Sequence, residues 1–185
     1  SKKKKLRVIF RGINIDYFNP KNISILKQEK LKEEWKIDTN KFTILMPGRL
    51  TYWKGQEKFI EALKILIEDY SFTNFQAIIL GSDQGRKVYT KKLLNLVQRY
   101  SLTKKINFIP NYRDMPLAYS LADVVVSASI EPEAFGRVAV ESQAMSKPII
   151  ASNIGGSKET ILNKKSGFLY KHDDPRDLAK NLNTV

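Results

Sequence analysis

Three turns in this chain combine charges and glycines in ways that suit an anionic, hydroxyl-rich ligand. The first is Gly48-Arg49-Leu50-Thr51-Tyr52-Trp53-Lys54-Gly55. It sets an Arg and a Lys five residues apart, just ahead of a helical pattern. Helix N-termini favour anions through their exposed amides and dipole. A guanidinium fork and an ammonium point charge beside one suit a doubly charged group such as a diphosphate. A solvated basic loop is the plainer reading of the same residues. The loop is not a Walker A motif, because the Gly-x-x-x-x-Gly-Lys-Ser/Thr spacing is absent, and no Gly-x-Gly-x-x-Gly follows a strand.

The second turn is Glu131-Pro132-Glu133-Ala134-Phe135-Gly136-Arg137-Val138-Ala139-Val140-Glu141. Glu133 sits in the turn and Glu141 roughly two helical turns beyond it. Eight residues at ~1.5 Å rise span about 12 Å when helical throughout. That is comparable to the length of a nucleotide-sugar, and carboxylates accept readily from sugar and ribose hydroxyls. The amides around Phe135, Gly136, Arg137 and Val138 would face the same space as the first loop. On the plainer reading Glu133 complements a helix N-terminus, worth ~0.3–1 kcal/mol, and Glu141 is a surface position. Yet Val138, Val140 and Met145 make that helix largely apolar, so a carboxylate in it calls for a partner. The third turn, Asn153-Ile154-Gly155-Gly156-Ser157-Lys158-Glu159, opens on a Gly pair. Such a pair permits close backbone approach, either to a ligand or within a tight turn.

These turns need a scaffold. From residue 42 the chain alternates short apolar runs with helical patterns. Strands are expected at Phe42–Pro47, Phe75–Gly81, Lys105–Ile109, Asp123–Ser127, Pro148–Ala151 and Gly167–Tyr170. Helices are expected at Gly55–Asp69, Arg86–Tyr100, Met115–Leu121, Gly136–Met145, Ser157–Leu162 and after Pro175. Continuous apolar strands alternating with helices imply a parallel sheet covered on both faces. The expected fold is a doubly wound, Rossmann-like α/β domain of about six strands. Ligands bind such sheets at the carboxyl ends of the strands, where the turns above fall. Residues 1–41 read as an interdomain lead-in segment packing on the domain at 42–185. In it Leu6–Phe10 is an expected strand, Asn19-Pro20 a turn and Ser24–Lys36 a polar helix.

Composition narrows the function classes. The 185 residues support one sizeable core, and there is no cysteine for disulfides or a Cys-ligated zinc site. No apolar run approaches the ~20 residues that span a bilayer. The opening Ser1-Lys2-Lys3-Lys4-Lys5 lacks the apolar stretch of a secretion signal. Both ends read as cuts within a longer protein. The net charge of +13 raises nucleic-acid binding as an alternative. No Lys/Arg stripe interleaved with aromatics is present, so a solvated or membrane-facing basic surface is preferred and no nucleic-acid partner is expected.

Taken in order, these motifs resemble the C-terminal domain of family-4 glycosyltransferases, a retaining family of GT-B architecture. Arg-Gly-Ile-Asn-Ile-Asp-Tyr-Phe-Asn-Pro (11–20) is similar to its interdomain motif, and Gly48-Arg49 with Lys54-Gly55 to its diphosphate loop. Leu80-Gly81-Ser82-Asp83-Gln84-Gly85 resembles its Gly-Asp-Gly turn with one residue extra. Tyr119-Ser120-Leu121-Ala122-Asp123, the Glu133 to Glu141 pair around Phe135-Gly136, Gly155-Gly156-x-x-Glu159 and Ser166-Gly167-Phe168-Leu169 complete the set. Ser146 stands where the family usually has Gly.

The resemblance implies transfer of a sugar from a UDP-, GDP- or ADP-sugar to an acceptor hydroxyl, with retained anomeric configuration. It implies that Gly48, Arg49 and Lys54 hold the diphosphate and that Glu133 faces the donor sugar. Amides near Phe135, Gly136, Arg137 and Val138 would contact sugar and phosphate, Glu141 would accept from the ribose, and the base would lie near Asn111, Tyr112 and Arg113. No Asp-x-Asp pair for a divalent ion occurs, so no metal and no cofactor are expected. Asp173-Asp174 before Pro175 reads as helix capping, and the only histidine, His172, as structural. Acceptor contacts, to a glycan or glycolipid, would come from another domain, so this chain alone is expected to turn over little. A cytoplasmic site, with peripheral contact to the inner membrane face, fits such an acceptor. The alternatives are a non-catalytic nucleotide-binding regulatory module and, on the same architecture, a phosphorylase or epimerase. A phosphorylase would be expected to offer a pyridoxal-phosphate lysine, for which no motif is seen.

Overall fold

The computed structural model describes residues 11–185, so the expected strand Leu6–Phe10 lies outside the described residues. Its six strands are β1 (Phe42–Pro47), β2 (Phe75–Leu80), β3 (Ile106–Ile109), β4 (Val124–Ser127), β5 (Ile149–Ser152) and β6 (Phe168–Tyr170). All pair in parallel, in the order β3-β2-β1-β4-β5-β6. Between them run α2 (Gln56–Tyr70), α3 (Lys87–Arg99), α4 (Met115–Ser120), α5 (Arg137–Ala144) and α6 (Ser157–Thr160), after α1 (Ile25–Glu34) and before α7 (Pro175–Leu182). This is the doubly wound Rossmann-like fold expected from the alternation of patterns. The boundaries move by only one or two residues.

The alternation of side chains along each strand divides the core in two. Ile44, Met46, Val124, Val126 and Ile150 face one layer, with Phe59, Leu63, Leu93 and Leu178 from the helices there. Leu45, Ile78, Val125 and Ile149 face the other, with Leu31, Trp35, Leu117, Tyr119 and Ala139. Both faces are therefore apolar, which is why the strands read as unbroken apolar runs. Burying each such large side chain stabilises the fold by ~1.5–3 kcal/mol.

Local chemistry sets the ends of the helices. Ser24 caps α1, accepting from the Lys27 amide at 3.4 Å. Lys36 just beyond adopts φ 52°, which stops that helix short of the expected end. Asp174 caps α7 through the amides of Arg176 and Asp177, with Pro175 in the first turn. Its neighbour Asp173 instead pairs with Lys58 at 3.2 Å, and His172 Nδ1 lies 3.2 Å from Ser152 Oγ. Helix α6 stops at Thr160, because Ile161 turns extended and is buried in the core.

Helix α5 closes in a Schellman motif. The Lys147 amide bonds the Ser142 carbonyl at 2.9 Å and the Ser146 amide bonds that of Gln143 at 2.9 Å. The motif needs a left-handed residue at its hinge, and Ser146 supplies it at φ 56°. An L-residue pays a steric penalty there that glycine escapes. Residues 11–41 pack onto the sheet rather than standing apart. Phe18, Leu31 and Trp35 are buried against the α4 side, and the Asn107 side chain donates to the Trp35 carbonyl at 3.0 Å.

Two substitutions test these readings by thermal denaturation. Ser146→Gly relieves the left-handed strain, and the expected gain is about 0.5–1 kcal/mol. Gly55, at φ 73°, faces the Ala128 carbonyl oxygen so closely that a Cβ would fall on it. Gly55→Ala is expected to cost about 2 kcal/mol or more, roughly 4–8 °C in a domain of this size. Gly12→Ala, where a Cβ meets nothing within 4 Å, is expected to leave the melting temperature unchanged.

Candidate functional site

The strand order reverses between β1 and β4, and the crevice beyond their carboxyl ends is where such sheets bind ligands. The loop after β1 carries Gly48 to Gly55 and the loop after β4 carries Glu133. They meet directly. Lys54 Nζ lies 2.8 Å from Glu133 Oε1, with both side chains about four-fifths buried. The Ser129 hydroxyl also donates to Glu133 Oε1. A backbone bond from the Ile130 amide to the Trp53 carbonyl, at 2.9 Å, joins the two loops again. Glu133 Oε2 has no hydrogen-bond partner among the described residues, which leaves it available to accept.

The third turn explains how Glu133 is held. Gly156 donates its amide to the Glu133 carbonyl at 2.7 Å. A Cβ on Gly155 would lie 2.7 Å from the Glu133 backbone, and one on Gly156 would lie 2.6 Å from the Phe135 carbonyl carbon. The Gly pair thus serves close backbone packing beneath the Glu133 turn. Gly136, at φ 73°, then starts α5. Among the described residues the amides of Phe135, Gly136, Arg137 and Val138 have no protein acceptor.

Beside this pair lies a cleft of about 420 Å³ at the ends of β1, β2 and β3. Gly48, Arg49, Ser82, Gln84, Asn111 and Tyr112 are among the residues that line it. Burial first, then the charge of Asp114, raises the Tyr112 phenol above its ordinary value, so it stays neutral. Trp35, at the end of α1, packs edge-on against Tyr112 with ring centroids 5.0 Å apart. Arg113 is exposed and is not among the lining residues; its carbonyl accepts from the Tyr17 hydroxyl at 3.4 Å.

Glu141 lies on the second turn of α5 and is buried. Its Oε2 accepts from the Tyr119 hydroxyl at 2.9 Å. Its Oε1 accepts from Arg137 Nε at 3.0 Å and Nη2 at 2.6 Å. Neither a hydrogen bond nor an ion pair joins Glu141 to Lys54 or Glu133 among the described residues. The structure therefore brings Lys54 and Glu133 into contact, sets Arg49 and Gly48 on the neighbouring cleft, and bonds Glu141 into a different polar cluster, with Arg137 of α5 and Tyr119 of α4.

Several contributors carry no signal in the sequence. Gln56 is fully buried and its Nε2 donates to the Arg49 carbonyl at 2.8 Å, fixing the first loop, while Tyr89 donates to its Oε1 at 3.3 Å. Trp53 carries the Arg49 guanidinium 5.9 Å from its ring centroid and that of Arg86 at 5.8 Å. Such contacts are worth about 0.5–1 kcal/mol at exposed sites.

The sequence and the fold are matched by known proteins. The profile described as Glycosyl transferases group 1 matches residues 27–185. A glycosyltransferase from Rickettsia africae ESF-5 superposes with a TM-score of 0.92 at 38% identity, over 99% of this chain and 47% of that one. The Anabaena Alr3699/HepE protein, solved with UDP and glucose, superposes with a TM-score of 0.86 at 30% identity, over 96% of this chain and 46% of that one. Among curated proteins, spore coat protein SA of Bacillus subtilis is 29% identical over 100% of this chain and 50% of its own length. The D-inositol 3-phosphate glycosyltransferase of Corynebacterium urealyticum is 29% identical over 97% of this chain and 42% of its own length. The chain thus spans about half the length of the relatives it matches, and it belongs to the glycosyl transferases group 1 family.

Proposed function

We propose that this chain is the donor-binding half of a retaining GT-B glycosyltransferase of family 4. It binds a nucleotide-diphospho-sugar, and the full-length protein transfers the sugar to an acceptor hydroxyl with the anomeric configuration kept. The observation that carries this reading is the Lys54–Glu133 contact at the strand-order reversal, beside the unpaired first amides of α5. Alr3699/HepE, with the same fold at 30% identity, has been solved with UDP-glucose, which supports a nucleotide-sugar donor for this site.

The chemical obstacle is the nucleoside diphosphate, which gains negative charge as the glycosidic bond breaks. Fixed donors aimed at that charge lower the barrier by several kcal/mol. In this reading Lys54, Arg49 and the α5 amides supply that stabilisation without a metal ion. Glu133 Oε2 accepts from the donor sugar while Lys54 and Ser129 hold Oε1. Asn111 and Tyr112 face the base in the 420 Å³ cleft. A preceding domain provides the acceptor site, for a glycan or glycolipid at the inner face of the cytoplasmic membrane. No helix among the described residues is long and apolar enough to cross a membrane.

Two measurements test this. In a thermal-shift screen against UDP, GDP and ADP, the matching nucleotide at 100 times its Kd stabilises the protein by about 2.7 kcal/mol. Lys54→Met is expected to weaken that binding by roughly 10- to 100-fold; no response to any of the three nucleotides overturns the reading. In the full-length protein, Glu133→Gln is expected to lower kcat by about 10²–10³-fold with nucleotide affinity retained. The wild-type rate should survive chelator, and proton NMR should show the donor's anomeric configuration in the product. Unchanged transfer in Glu133→Gln would favour a regulatory module.

A further inference from the structure

The cluster around Glu141 contains a residue to which the sequence assigns no role of its own beyond its place in the Tyr119–Asp123 stretch. Tyr119, on α4, is fully buried in the apolar layer with Phe18 and Leu117. Its hydroxyl nevertheless reaches across to α5 and donates to Glu141 Oε2 at 2.9 Å. Burial, reinforced by the adjacent Glu141 charge, holds the phenol well above its ordinary value. The hydroxyl is therefore a proton donor throughout the physiological range, and the direction of the bond is fixed.

A carboxylate offers about four acceptor sites. On Glu141 the two on Oε1 take Arg137 Nε and Nη2, and one on Oε2 takes Tyr119. One acceptor site remains, on Oε2. The terminal torsion of a glutamate is soft and broad. The Arg137 fork grips a single oxygen, and the Glu141 side chain beneath it is only 6% exposed. Among the described residues the buried phenol is the one hydrogen bond on the second oxygen that opposes rotation about the first.

We propose that Tyr119 is a positioning residue for donor recognition, aiming the one open acceptor site of Glu141 at a ribose hydroxyl and so setting the preference for ribonucleotide over deoxyribonucleotide donors. This rests on the reading of Glu141 as the ribose contact. Tyr119 itself touches no ligand; it acts through the carboxylate. A phenylalanine at 119 keeps the ring in the core and lets the carboxylate turn, so its remaining acceptor site no longer points in one direction.

The test measures discrimination in the full-length protein. UDP, GDP and ADP are titrated by calorimetry, each beside its 2′-deoxy and 3′-deoxy analogues. Wild type is expected to lose about tenfold or more in affinity for one deoxy analogue of its nucleotide. In Tyr119→Phe that ratio is expected to fall to about threefold or less. A purely packing role would lower the melting temperature and leave the ratio intact, so an unchanged ratio in Tyr119→Phe overturns the positioning role while the ribose reading of Glu141 stands. Equal binding of ribo and deoxy forms by wild type, or no binding of any of the three, overturns the ribose reading and this inference with it. Should Tyr119→Phe not fold, Arg137→Lys decides: it removes the fork on Oε1 and keeps the phenol on Oε2, so the ratio is expected to stay near tenfold, and a fall to about threefold or less overturns the positioning role of Tyr119.

Discussion

The contact between Lys54 and Glu133 is the constraint around which the rest is arranged. Neither residue's position makes sense alone. A largely buried ammonium next to a largely buried carboxylate needs the two loops to arrive at one point, and the strand order delivers them there because β1 and β4 are neighbours with their helices on opposite faces. Burial of such a pair is weak support for stability, since desolvation offsets much of the attraction. Its value lies in holding a cation and an acceptor side by side at the carboxyl ends of the strands.

The scaffold was legible in the sequence because each strand is a short apolar run and the helical patterns between them are amphipathic. Asp174-Pro175 announced the start of α7, and Gly48 and Gly55 bracketed the first loop. The two loops that meet at the crevice were legible for a related reason: Arg49, Lys54 and Glu133 are charges placed in turns that a doubly wound sheet gathers at one edge. Ser146 was visible as a departure from the family pattern, but its meaning needed the Schellman geometry and the left-handed backbone at that position.

What stayed hidden are residues whose roles depend on partners distant in sequence. Tyr119 sits on a short helix among Leu117, Ala118 and Leu121, and nothing in that spacing indicates that its hydroxyl has an acceptor 22 residues away. Gln56 opens α2 like any polar first-turn residue, yet it is fully buried and ties down the Arg49 carbonyl. The Gly155-Gly156 pair was ambiguous for the opposite reason. Its composition allowed either a ligand or another stretch of backbone to come close, and the structure shows that backbone fills the space. Arg113 follows Asn111 and Tyr112 in sequence, yet it is exposed and not among the residues that line their cleft.

The fit of Gly55 under the Ala128 carbonyl has a thermodynamic consequence. Loops that wrap a ligand commonly surrender conformational freedom when they close, and that lost entropy is subtracted from affinity. Here the two loops are already keyed to each other, by that close approach and by the bond from Ile130 to Trp53, so most of the ordering belongs to folding. A ligand arriving at this crevice meets a surface whose backbone has little disorder left to give up.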